Sequence, residues 1–245
     1  DNVEHDAILK RKERASLEEA MQQTLKPLSL DDVLALQKSG AQVLDVRDGL
    51  DFEGGHLKGA LNIALSGKYA TWAGSMLAHD RPIIVIADAG GQSGDDAPAA
   101  EAVMRLGRIG FDNVGGYLAG GMNALASRDD LMERTERVTA AALAEWLGGS
   151  RTELTENPLV IDVRSEAEHA GGHIVGSLNI PLTHLDERFG EIPANRPVVV
   201  HCEGGYRSAI AASLLQHLGH AAVHDLVGGF KAWSAARLPM TSPTP

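Results

Sequence analysis

The chain has 245 residues, 44% of them apolar and 22% charged, a composition that fits soluble globular proteins and a length that suits two domains of about 100–120 residues. A formal net charge of −11 with no Lys/Arg cluster that could track a phosphate backbone argues against nucleic acid and anionic membrane as partners, and no apolar run approaches a bilayer span. One cysteine excludes an internal disulfide and points to a reducing, cytoplasmic setting, while a start at Asp1 rather than Met marks the chain as an expected piece of something longer.

In chain order, residues 1–26 read as a charged helical leader, in which Lys10 to Arg14 followed by Glu18 and Glu19 make a solvated face. Ser29 then caps a helix that starts at Leu30, and a buried strand around Leu44 follows. Pro82 to Ala89 reads as a buried strand and Ala97 to Leu106 as a helix. The polar stretch 128–137 is the expected linker. Thr139 caps Ala140 to Leu147, a strand around Ile161 follows, Pro197 to Cys202 is a second buried strand, and Ser208 to Leu218 is a helix. Residues 240–245 are the expected frayed tail. Strands alternating with helices imply an α/β fold with a parallel sheet flanked by helices in each of two domains, 27–127 and 138–239.

Self-comparison supports that division. Leu44-Asp45-Val46-Arg47 recurs as Ile161-Asp162-Val163-Arg164, and Gly55-His56-Leu57 recurs as Gly172-His173-Ile174, both at an offset of 117. Gly120-Gly121-Met122-Asn123-Ala124-Leu125 answers Gly228-Gly229-Phe230-Lys231-Ala232-Trp233 at a slightly smaller offset, as loop deletions would produce.

These motifs resemble the rhodanese family over nearly all of 27–239. Asp162-Val163-Arg164, Glu168, Gly172-His173-Ile174, Gly176 and Asn179-Ile180-Pro181 are similar to the family's first signature, with His169 standing where an aromatic is more usual. His201-Cys202-Glu203-Gly204-Gly205-Tyr206-Arg207-Ser208 resembles its active-site loop, and Gly228 to Trp233 its closing signature. In the first repeat Asp88 occupies the cysteine position, and Ala89 to Asp96 contain no arginine. The chain therefore resembles a tandem rhodanese with a catalytically silent first domain and an active second one. The charged leader running into Pro27 also resembles the joint in fusions where a metallo-β-lactamase-fold persulfide dioxygenase precedes such a tandem, which implies that domain as a fused or associated partner.

The residues of the loop carry the chemistry that the resemblance implies. Sulfane-sulfur transfer needs a thiolate nucleophile and then a stable place for the terminal sulfur anion of a Cys202 persulfide. Cys202 ends an apolar strand and Ser208 is expected to begin a helix, so the backbone between must curl, and Gly204 and Gly205 permit that. Convergent amides through Glu203, Gly204, Gly205 and Tyr206, the positive end of the helix and the Arg207 guanidinium are expected to form an anion cradle. The same cradle suits thiosulfate or a small persulfide as donor, with a thiophilic acceptor such as cyanide, sulfite, a glutathione-like thiol or a protein thiol. Glu203 is expected to point outward. Phosphatases of related fold place five residues between cysteine and arginine, and four stand here, a narrower ring that favours a lone sulfur over a phosphoryl group. A non-turnover persulfide carrier is the other reading, and multiple turnover with small acceptors separates the two.

The surrounding residues read as structural support. Asp162 is expected to bond loop amides, Arg164 to pair with Glu168, and His173, like His56, to serve as a hydrogen-bonded structural residue rather than a metal ligand. His201 is turned by strand alternation away from Cys202, and Phe230 and Trp233 read as core aromatics. No metal or cofactor is called for.

Overall fold

The computed structural model describes residues 25–88, 96–149 and 157–241. The leader helix expected over 1–24, the first repeat's loop at 89–95 and the tail residues 242–245 lie outside the described residues.

In the first repeat the chain forms β1 (Pro27–Leu28), α1 (Leu30–Lys38), β2 (Gln42–Asp45), α2 (Gly49–Gly54), β3 (His56–Leu57), β4 (Leu61–Asn62), α3 (Tyr69–Met76), β5 (Ile83–Ile86), α4 (Ala97–Gly107) and β6 (Val114–Leu118). Then follow β7 (Met132–Glu133), β8 (Glu136–Val138), α5 (Ala140–Leu147), β9 (Leu159–Asp162), α6 (Glu166–Ala170), β10 (His173–Ile174), β11 (Leu178–Asn179), β12 (Val198–His201), α7 (Tyr206–His217), β13 (Val223–Leu226), α8 (Gly229–Ala235) and β14 (Met240–Thr241). The helix starts expected at Ser29 and Thr139 are present: each side chain accepts an N–H from the first turn, and Asp32 reaches back to Ser29 to complete a capping box.

Two five-stranded sheets have one topology. The first runs β1-β6-β5-β2-β4 and the second β8-β13-β12-β9-β11, so each repeat places its strands in the same spatial order. Every recorded pairing within the second sheet is parallel, as are β1 with β6, β6 with β5 and β5 with β2 in the first. The central strands β5 and β12 are buried at every position, which explains why they read as unbroken apolar runs rather than alternating ones. The second sheet carries a core of Val138, Leu143, Val160, Ile174, Val199, Leu226 and Trp233.

Two expectations are corrected. The stretch read as a linker, 128–137, supplies β7 and the edge strand β8, and the start of the stretch read as a frayed tail supplies β14. The two short strands do the same job in each repeat: β7 pairs antiparallel with β3, His56 opposite Glu133, and β14 pairs antiparallel with β10, His173 opposite Thr241. Both segments are too short and too polar to show a period-2 pattern, so pairing rather than composition makes them strands.

Contacts divide the chain into two units. Described residues up to Val46 with Ala70–Ser127 form one, and Arg47–Tyr69 with the described residues from Arg128 onward form the other. The segment Arg47–Tyr69 thus reads in sequence as part of the first repeat and belongs by contact to the second unit. Within that unit, the Ser213 hydroxyl accepts the Asn62 N–H at 3.0 Å, and the Tyr206 hydroxyl donates to the Ala64 carbonyl at 2.9 Å.

Candidate active site

Cys202 lies immediately beyond the C-terminal end of β12, with β13 on one side and β9 on the other, where open parallel sheets place their ligand sites. The loop returns into α7, which begins at Tyr206 rather than Ser208, so Arg207 and Ser208 both sit in its first turn. Gly205 caps that helix at φ +119°, a conformation an L side chain rarely adopts, while Gly204 does not have a positive φ. The curl brings the Gly205 N–H to 3.2 Å from Sγ of Cys202 and the Ser208 hydroxyl to 3.7 Å. Instead of the expected ring of amides, one backbone N–H and one hydroxyl meet the thiol directly.

The loop is fastened from beneath by α8. Phe230 N–H donates to the Cys202 carbonyl at 2.8 Å and Lys231 N–H to the Glu203 carbonyl at 3.0 Å, so two orphan donors of a helix start satisfy two loop acceptors. That approach requires Gly229: a Cβ there would lie 2.4 Å from the Cys202 carbonyl oxygen. The Gly-Gly of the closing signature thus explains itself as clearance for the Cys202 loop.

Ion pairing differs from the expectation in one respect. Glu168 pairs with Arg207, not Arg164, through two hydrogen bonds of 2.7 Å in bidentate geometry. The Arg207 hydrogen bond draws the Glu168 carboxyl down to about 2, against the opposing effect of burial. Arg207 is held above the ordinary guanidinium range, first by its hydrogen bonds to Glu168 and further by its nearness to Cys202. Arg164 pairs with buried Asp162 at 2.7 Å and with Glu203 at 3.2 Å, and lies 4.0 Å over the Phe230 ring. Glu203 is half-exposed, so it does point outward, but tethered. Burial acts to raise the Asp162 pKa, yet hydrogen bonds from Arg164 and His169 and the nearby His201 outweigh it and leave it lowered. Asp162 also accepts the Arg164 N–H at 3.0 Å, the strand-end role expected of it.

The remaining residues fall where their types suggest. His173 Nδ1 bonds the His169 carbonyl at 2.9 Å and its ring stacks on that of His169 at 3.8 Å, the geometry of a structural residue. His56 stacks on Phe52 at 3.7 Å in the same way, so His169 fills the aromatic's place by stacking as an aromatic would. His201 is fully buried and burial pushes it down to about 4, which keeps it neutral and makes it a weak base. Trp233 is buried and donates Nε1–H to the Pro239 carbonyl. Among the described residues no His/Cys/Asp/Glu cluster is arranged to hold a metal ion, and no helix is long and apolar enough to cross a membrane.

Sequence reasoning missed a cavity of about 240 Å³ beside the loop. Gly204, Gly205 and Tyr206 line it together with Glu53, Arg137 and Asp225, all within the second unit. The available signal was an aspartate buried within the short strand Val223–Leu226. Burial pushes the Asp225 carboxyl up to about 8, and the charge of Glu53 adds to the rise. Glu53 is itself pushed up to about 7 by burial, against the pull of Arg137, whose Nε lies 2.7 Å away.

The family model described as "Rhodanese-like domain" matches residues 29–128 and 139–236. Among similar proteins, "Uncharacterized protein YqhL" of Bacillus subtilis is 45% identical over 74 residues, 30% of this chain and 59% of that protein, so the match spans less than two thirds of that relative. "Sulfurtransferase" of Allochromatium vinosum is 39% identical over 89 residues, covering 36% of this chain and 83% of that one. "Thiosulfate sulfurtransferase 16, chloroplastic" of Arabidopsis thaliana is 32% identical over 94 residues, 32% of this chain and 76% of that protein. Among solved structures, thiosulfate sulfurtransferase from Pseudomonas aeruginosa is 23% identical, covers 90% of this chain and 44% of that one, and superposes with a TM-score of 0.40. With the family model matched twice over most of its length, the chain belongs to the rhodanese-like domain family and carries that domain in tandem.

Proposed function

We propose that the second repeat is a sulfurtransferase that moves sulfane sulfur from thiosulfate or a low-molecular-weight persulfide to a thiol acceptor through a persulfide on Cys202, and that the first repeat is catalytically silent. The observation that carries this reading is the hydrogen bond of 3.2 Å from the Gly205 N–H to the chain's one thiol, at the start of a twelve-residue helix. The helix's positive end and Arg207 favour negative charge at that point, and a persulfide's terminal sulfur is an anion. In the first half-reaction the Cys202 thiolate attacks the outer sulfur of the donor and sulfite or a thiolate leaves; in the second, an acceptor thiolate attacks the terminal sulfur and the Cys202 thiolate leaves. The relatives named as sulfurtransferases support the same chemistry.

Arg207 serves best as an electrostatic neighbour whose orientation is set by Glu168, and Ser208, whose hydroxyl donates to the Gly205 carbonyl, as the acceptor of the Cys202 thiol proton. Asp162, Arg164 and His173 hold the strand ends that carry the loop. The strand register corrects the sequence alignment at this point: Asp45 pairs with Ile86 as Asp162 pairs with His201, so Ala87 and not Asp88 stands at the position matching Cys202, and it offers no sulfur nucleophile. Intact-mass measurement after incubation with thiosulfate, and separately with glutathione persulfide, tests the proposal. Gain of one sulfur by the wild type and none by Cys202→Ser, followed by loss of that sulfur on adding a thiol, is the expected result. A wild-type protein that stays unmodified with both donors overturns it.

A further inference from the structure

The cavity beside the loop is unlike the sulfur site in charge. Besides the Tyr206 phenol, its ionisable lining is two carboxyl groups, Glu53 and Asp225, and one guanidinium, Arg137. Glu53 and Asp225 are 4% and 2% exposed, and one carboxyl oxygen of Asp225, Oδ1, is buried with no hydrogen-bond partner. A buried polar atom left unpartnered costs free energy, and a group that donates to it recovers that cost. Arg137 is engaged with Glu53 at 2.7 Å and is 38% exposed, which puts it toward the outside with the second carboxyl uncompensated. A cation beside Asp225 Oδ1 would offset the burial that keeps this carboxyl protonated and would give the unpartnered oxygen a donor.

Two contacts tie the cavity to the thiol. The backbone of Gly205 both lines the cavity and donates to Sγ of Cys202. Asp225 is hydrogen-bonded to Ser208, whose hydroxyl lies 3.7 Å from the same sulfur. A molecule filling about 240 Å³ beside this wall is a small one.

We infer that this cavity is the acceptor subsite and that it selects small thiols bearing an ammonium group, the aminothiol class to which cysteamine and cysteine belong, with the ammonium donating to Asp225 and Glu53. This rests on the sulfurtransferase reading of Cys202 and names the acceptor class for it. The step balances without an added oxidant: the acceptor thiolate attacks the terminal sulfur of the Cys202 persulfide, a new S–S bond forms, the old one breaks, and the Cys202 thiolate leaves. Thiosulfate then reloads it from the electropositive helix end. Glu53 and Asp225 are specificity residues here, acting on the acceptor's amine and not on the transferred sulfur.

Three thiols of similar size separate the charge effect from bulk: cysteamine, 2-mercaptoethanol and 3-mercaptopropionate. With full-length protein first loaded with sulfur, the loss of that sulfur is followed by intact mass at equal thiolate concentration of each. Cysteamine is expected to discharge the persulfide at least about tenfold faster than 3-mercaptopropionate, with 2-mercaptoethanol between, a ratio worth about 1.4 kcal/mol. Asp225→Asn should bring that ratio toward one, and Glu53→Gln provides the same comparison if the first variant fails to fold. Equal rates for the three thiols in a protein that loads normally, or a ratio unchanged in both variants, overturns the acceptor inference alone. A protein that never loads overturns the sulfurtransferase reading instead.

Discussion

The two repeats share a scaffold down to single hydrogen bonds and differ where chemistry would happen. Arg47 donates to the Gly55 carbonyl at 2.9 Å and Arg164 to the Gly172 carbonyl at 2.7 Å. Asn62 donates to the Arg47 carbonyl at 2.9 Å and its counterpart Asn179 to the Arg164 carbonyl at 3.0 Å. The His-on-aromatic stack and the short antiparallel pair recur as well. At the end of the central strand, however, one repeat has Ala87 and the other Cys202, and the partner of Arg207, Glu168, is matched by Asp51 in a repeat whose loop offers no arginine. The shared residues therefore build the strand ends, and the unshared ones define the site.

The sharpest test of that contrast is to move the nucleophile. Ala87→Cys in a Cys202→Ser background should gain no sulfur from thiosulfate by intact mass, because a thiol without the arginine and its carboxylate lacks the charge that holds a persulfide; sulfur gained by that double variant would show that the scaffold by itself suffices. Next in size, Arg207→Ala should lower kcat/KM for thiosulfate by about a hundredfold, the scale of losing one preorganised electrostatic group. Lysine should restore little, since it cannot keep the bidentate hold on Glu168. Steady-state kinetics of the two variants decide this.

Backbone clearance gives a smaller and more selective effect. Gly229→Ala places a side chain at φ +58° and against the Cys202 carbonyl, so unfolding free energy should fall by about 1–2 kcal/mol from the left-handed conformation alone, and sulfur loading should slow as the loop shifts. Gly121→Ala, at the matching position with φ +53°, should cost similar strain in denaturant titrations yet leave loading of Cys202 intact. Equal loading defects in both variants would mean that the closing signature acts through general stability.

The smallest effect is in pH dependence. Glu168, drawn down to about 2 in the folded protein from an ordinary 4.5, adds stability that is fully present above pH 4.5 and is lost as pH falls toward 2. With its side chain 37% exposed, solvent screening reduces that contribution to about 1 kcal/mol. Glu168→Gln should therefore be less stable than wild type at pH 7 by that amount, with the gap closing below pH 4.5 in urea titrations. A gap that persists unchanged at pH 3 would show that shape, not charge, makes the pair matter.

Much of this protein is legible in its residues. The offset of 117 exposes a duplication, the capped starts at Ser29 and Thr139 set the helices, and the unbroken apolar runs mark the buried central strands. The Cys202 to Ser208 loop declares its chemistry by residue type and spacing, because a tight curl between strand and helix needs glycine at Gly205 and an anion site needs local positive charge. Such local signals depend on neighbours a few residues away, and one chain in hand is enough to read them. Partners distant in sequence are another matter. Which arginine takes Glu168, that Met132–Glu133 and Met240–Thr241 become strands, that Arg47–Tyr69 belongs by contact to the second unit, and that Glu53, Arg137 and Asp225 meet beside the loop all depend on packing of segments tens to hundreds of residues apart. Charges and short polar strands carry no periodic pattern, so only the folded arrangement decides whom they meet.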